Sequence, residues 1–100
     1  MDKKIIWTHQ AEVDLHTAFL DLLEYSESPE ITSRIISEIY ESVSVLAKNP
    51  EIYKLDFLKV NNKGDIRAFE KHTYRILYLI DAEIIYIIRV RSARKEPLEY

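Results

Sequence analysis

The chain predicts an α+β domain in the order β-α-α-β-β-β: an N-terminal strand, then an antiparallel helix hairpin packed on one face of a small, largely antiparallel sheet. Three observations carry this. A short apolar run, "KIIW", stands at residues 4–7. Two segments of helical periodicity follow it, separated only by "SESPE". After residue 50 the period changes, and three runs rich in β-branched and aromatic residues are joined by short turns. One helical layer on one face of one sheet is the arrangement that buries a single stripe and a single face together.

Each element follows in order. Lys4 to Trp7 reads as the first strand, and Thr8 after it as an N-cap whose hydroxyl accepts a free backbone N–H. Ala11, Leu15, Ala18, Phe19 and Leu22 then recur at helical spacing, with Glu12, Asp14, Asp21 and Glu24 between them, giving a helix over about 9–25. Ser28-Pro29-Glu30 restarts the helix with a cap, a proline at the first position and an acid in the first turn. Ile31, Ile35, Ile39, Val43 and Leu46 mark one face of this second helix, and "KNP" at 48–50 ends it. The short connection makes the pair an antiparallel hairpin.

In the second half, "NNKG" is a turn and "DIRAFE" (65–70) a strand. "TYRILYLI" (73–80) is the next, "DAE" turns the chain, and "IIYIIRVR" (84–91) is the last. Strict alternation in that last strand puts Ile84, Tyr86, Ile88 and Val90 on an apolar face toward the helices. The same alternation puts Ile85, Ile87, Arg89 and Arg91 on the other, which turns cationic at its far end.

The totals narrow the function classes. One hundred residues make one domain, 1–100, without repeat, linker or low-complexity run. A single glycine excludes glycine-rich phosphate loops. The absence of cysteine removes disulfides, thiolate nucleophiles and cysteine zinc sites, and the spacing of the histidines offers no other metal site. No cofactor is expected. No window approaches the ~20 apolar residues of a membrane span, and the "KKII" start is no signal peptide, so a cytoplasmic protein is expected.

The charge is divided. Residues 1–50 hold four Lys/Arg against nine Asp/Glu, a balance of −5, and residues 51–100 hold ten against eight, a balance of +2, within a net −3. "RVRSARK" (89–95) puts four cations in seven positions after the most apolar strand. A cationic end on an acidic chain points to a charged partner there. It fits equally a solvated, edge-protecting cluster.

The order and spacing of several pieces give the chain a resemblance to the RelE/ParE superfamily of bacterial toxins. "IIWTHQAEVDL" is similar to the family's opening strand and helix, and "SVLAKNPEIY" to its second-helix exit. "DIRAFEKHTYRILYLI" resembles its central hairpin, with Arg67 in the first strand and Tyr74-Arg75-Ile76 in the next. "IIRVRSARKEP" resembles its C-terminal strand, closer to the ParE-like ending. Many relatives with that ending carry His where this chain has Ser92.

The resemblance implies the toxin of a type II, plasmid-stabilisation type toxin–antitoxin system, silenced by a cognate antitoxin in a hetero-oligomer. ParE-like members poison DNA gyrase. RelE-like members cut messenger RNA on the ribosome. An inactive relative that only binds its antitoxin is a third possibility.

A metal-free nuclease would need a base, an acid and cations for the phosphorane charge. By resemblance Arg75, Arg94 and Tyr100 would supply these, with Lys54 and His72 as further candidates. Gyrase or antitoxin binding would need a gripping surface instead, for which Arg67, Arg89, Arg91 and Lys95 are the candidates, since arginine is a frequent interface hot spot.

Overall fold

The computed structural model describes residues 2–55 and 66–93. The elements are β1 (Lys4–Trp7), α1 (His9–Ser26), α2 (Pro29–Ser42), a 3-10 turn (Val43–Ala47), β2 (Ile66–Lys71), β3 (Tyr74–Asp81) and β4 (Ile84–Ser92). They form the α+β arrangement the sequence predicts, with the helices on one face of a four-stranded mixed sheet ordered β1-β4-β3-β2. The "NNKG" turn expected before β2 lies outside the described residues.

The helix boundaries have the predicted chemistry. Thr8 Oγ1 accepts from Ala11 N at 3.2 Å and donates to Ile87 O at 2.9 Å, so one hydroxyl caps α1 and holds it to β4. Glu27 ends α1 in the left-handed region (φ 56°), with its N–H on Leu23 O. Ser28 Oγ accepts from Ile31 N at 3.2 Å, and Pro29 opens α2. The α-helix stops at Ser42, earlier than the sequence predicts, and tightens into the 3-10 turn that keeps Val43 and Leu46 buried. Ile31, assigned to the apolar face, is instead 43% exposed at the mouth of the helix hairpin.

β1 lies parallel to β4, with Lys4 opposite Ile84 and Trp7 opposite Ile87. β2, β3 and β4 form the antiparallel meander. The core gathers Ala11, Ala18 and Ile39 from the helices and Phe69, Ile76, Tyr78, Ile85, Ile87 and Val90 from the sheet. Burial of the Tyr78 ring pushes its phenol up to about 12, and its hydroxyl donates to Pro50 O at 2.7 Å.

The facing of β4 differs from strict alternation. Leu77 pairs with Arg89 but Tyr78 pairs with Ile87, so Ile88 is an extra residue in β4. This β-bulge shifts the phase. Ile85 and Ile87 face the helices before it, and Val90 faces them after it. Ile84 and Tyr86, assigned to the buried face, are on the other one. The run 84–88 is apolar at every position, so it carries no alternation from which the phase can be read.

Both sheet hairpins use two-residue turns without glycine. Lys71 pairs with Tyr74 across His72 (φ 52°) and Thr73 (φ 66°), and Asp81 pairs with Ile84 across Ala82 (φ 49°) and Glu83. A β-branched residue in the left-handed region is strained, by about 1–2 kcal/mol. Thr73→Gly should therefore raise stability by about 1 kcal/mol in urea unfolding; a loss of stability would show that the turn does not hold this conformation in solution.

Candidate functional site

The arginines singled out by sequence are distributed by β2, β3 and β4 into different environments. Arg67, on β2, donates from Nη1 to Tyr53 O at 2.8 Å. Beside it the Tyr53 ring stacks on Phe69 at 4.3 Å, and Ala68 N donates to Lys54 O. Residues 53–55 are thereby tied along the outer edge of β2, with Leu55 bridged to Arg67. Arg67 is a tether of this segment.

Arg89 lies where β1 has run out. β1 pairs with β4 only as far as Ile87, and Asp14 on α1 takes over from there. Arg89 Nε and Nη2 donate to the Asp14 carboxylate at 2.7 and 3.2 Å, and Val90 N donates to the same carboxylate at 2.9 Å. Asp14 side-chain exposure is 10% and that of Arg89 is 26%. A two-pronged, charge-assisted contact of this kind is geometrically strict. The sequence gives no signal for it, since Asp14 is one of four similarly spaced acids on α1.

Arg75 and Arg91 face each other in register on β3 and β4, with Glu70 of β2 on the other side of Arg75. They share the face turned away from Ile76 and Val90, hence away from the helices. Arg75 is 8% exposed. Arg91 is half-buried, and among the described residues it alone of these four arginines makes no side-chain hydrogen bond or ion pair. Arg94, Lys95 and Tyr100 lie outside the described residues, so the nuclease trio is represented here by Arg75 only.

At the same end a groove of about 570 Å³ opens between the helix hairpin and the β2–β3 turn. Tyr25, at 80% exposure, and Ile31 line one side, and His72, Tyr74 and Ser92 the other. His72 Nε2 meets Glu38 Oε1 at 2.6 Å, pinning the strained turn to α2. The Glu38 carboxyl is held below its ordinary range, first by the hydrogen bond to His72, which outweighs an opposing effect of burial, and then by the charges of His72, Arg34 and Lys71. A depressed carboxyl pKa gives stability that is present above the ordinary carboxylate range and is lost as pH falls through the folded value.

A four-stranded mixed sheet backed on one face by a helix hairpin is the RelE/ParE superfamily fold. Within it, the family model described as the ParE toxin of type II toxin–antitoxin systems, parDE, matches residues 5–97, and the chain belongs to that family. Among solved structures the fold is similar to that of a chain from the chromosomal ParDE system of Pseudomonas aeruginosa. The TM-score is 0.72 at 17% identity, covering 90% of this chain and 95% of that one. It is also similar to a chain of the toxin–antitoxin complex RelBE2 from Mycobacterium tuberculosis, with TM-score 0.60 at 21% identity, covering 92% and 99%. No curated protein matches the chain significantly. Among the described residues no helix is long and apolar enough to cross a membrane.

Two measurements test this geometry. Asp14→Ala should destabilise the domain by about 2–3 kcal/mol, because it strands both the Arg89 guanidinium and Val90 N. Arg91→Ala should stay within about 0.5 kcal/mol, and equal losses from the two changes would refute the assignment of Asp14 as the tie. In His72→Ala the Glu38 carboxyl, followed by carbon NMR, should titrate at a higher pH than in the parent; an unmoved titration would show that the pair does not persist in water.

Proposed function

We propose that this chain is the growth-arresting toxin of its pair, acting by gripping DNA gyrase rather than by cutting RNA, and silenced by a cognate antitoxin. The membership of the ParE family over residues 5–97 carries the reading. The state of the arginines supports it. Metal-free RNA cleavage needs several free cations around the phosphate, together with a base and an acid. Arg67 and Arg89 are instead committed to Tyr53 and Asp14, Arg75 is buried in the sheet, and His72 is held by Glu38.

A gripping surface needs less: an accessible cation beside exposed apolar residues. Arg91 supplies the first from the outer face of the sheet, and the Tyr25–Ile31 groove, lined by the neighbouring Ser92, supplies the second at the same end of β4. In this reading the antitoxin works by covering that end.

Purified chain added to gyrase and relaxed plasmid should block supercoiling, and Arg91→Ala should weaken the block about tenfold. Incubation with translating ribosomes, followed by mapping of RNA 5′ ends, should give no new cuts. Cuts within ribosome-bound codons would overturn the gyrase reading in favour of mRNA cleavage. Normal growth with folded protein present and no antitoxin would overturn both, leaving an inactive antitoxin-binding relative.

A further inference from the structure

The two edges of the sheet are treated differently. The β2 edge is occupied by residues 53–55 of the chain itself. The β1 edge is covered only at its start, where Lys3 N donates to Ala47 O at 2.9 Å. Lys4 N donates to Glu83 O, just before β4, and Thr8 N to Ile87 O within it, so in this parallel pair the intervening Ile5 and Trp7 turn their N–H and C=O groups outward. Among the described residues these groups have no partner. An unpaired strand edge is a template for another strand, and here nothing blunts it: no proline, bulge or inward charge stands at Ile5–Trp7.

Beside this edge the structure leaves space. A groove of about 460 Å³ runs between Ile5, Trp7 and the α2 exit at Tyr40, Val43 and Ser44. A second, of about 480 Å³, continues past Trp7 and Tyr40 toward Leu15, Phe19 and Ile36. The floor common to both is a stacked aromatic pair, Trp7 on Tyr40 at 5.1 Å and 16°, with Tyr40 54% exposed. Solvent-facing stacked aromatics of this kind are characteristic anchors for a partner's apolar side chains.

The charge selects the occupant. Glu12 and Glu41 line the grooves and are exposed, and among the described residues no Lys or Arg lines either. His16 is the one further titratable group with basic character there. Lys3 is turned away, with its ammonium on Ala82 O. A second copy pairing edge to edge would bring two acidic rims together, which is unfavourable.

We propose that the outer edge of β1 is a strand-addition site for a partner protein, taking an extended segment with apolar side chains at alternate positions and lysines or arginines at its flanks. Main-chain hydrogen bonds to Ile5 and Trp7 give the pairing. The Trp7–Tyr40 surface takes the apolar side chains, and Glu12 and Glu41 take the cations. This site is on the acidic half of the chain, on the opposite edge strand from the segment tethered by Arg67, and does not depend on what the cationic end binds.

The test uses the full chain, isotopically labelled, and a synthetic peptide of alternating Ile and Thr with paired Lys at both ends. On binding, the Ile5 and Trp7 amides should shift and become protected from hydrogen exchange. Tyr40→Ala and Glu41→Lys, both changes at exposed positions, should each weaken binding about tenfold. A peptide N-methylated on the backbone positions that face β1 should not bind.

Three results would overturn the proposal: no binding of the lysine peptide; equal binding of a peptide with Glu in place of Lys; or binding that leaves the Ile5 and Trp7 amides exchanging as before. Protection of those amides in the chain alone, rising with its concentration, would assign the edge to self-pairing and overturn it too.

Discussion

The Asp14 carboxylate holds together the part of the molecule on which everything else is arranged. β4 is the central strand of the sheet's parallel half, yet its β1 neighbour stops at Ile87 and leaves the later backbone bare on that side. A buried N–H without a partner is costly, and Asp14 removes the cost at Val90 while neutralising Arg89 in the same contact. The orientation of α1 across the sheet follows from that one tie and from Thr8, whose hydroxyl joins the helix start to Ile87. The bulge at Ile88 belongs to the same junction. The extra residue lets Ile87 and Val90 both face the core, while Arg89 between them meets Asp14.

That junction is also where reading the sequence stops being sufficient. The strands and helices were legible because their signals are local: Thr8 and Ser28 as caps, Pro29 at the first turn, and runs of β-branched residues between short connections. The facing of β4 was not legible, because Ile84 to Ile88 are all apolar and alternation has nothing to register. The early end of α2 was hidden in the same way, since Val43 and Leu46 stay buried whether the backbone is α or 3-10.

Of the candidate site, residue types were legible and availability was not. Arg67, Arg75, Arg89 and Arg91 look alike in the sequence, each in or beside an apolar strand. Their fates depend on partners 14 to 75 positions away, such as Tyr53 and Asp14, which local spacing cannot identify. The cationic cluster that dominates the C-terminal strand is thus in part internal scaffolding. Arg89 secures the helix layer, while Arg91, two residues on, is left to the surface. A cluster read as one feature divides into a structural half and an accessible half.

The parallel pairing of β1 with β4 sets the order in which the protein can come into being. Lys4 meets Ile84 and Trp7 meets Ile87 across nearly the whole length of the chain, while β2, β3 and β4 meet through two-residue turns. The meander forms from local contacts; the first strand and the helix it leads into must wait for the last strand to be synthesised, because long-range closure has its entropy to overcome first. A chain emerging from the ribosome therefore carries its N-terminal strand unpaired until residues 84–92 are free. The folded molecule, with α1 tied by Asp14 and the sheet complete, therefore requires synthesis to have passed β4.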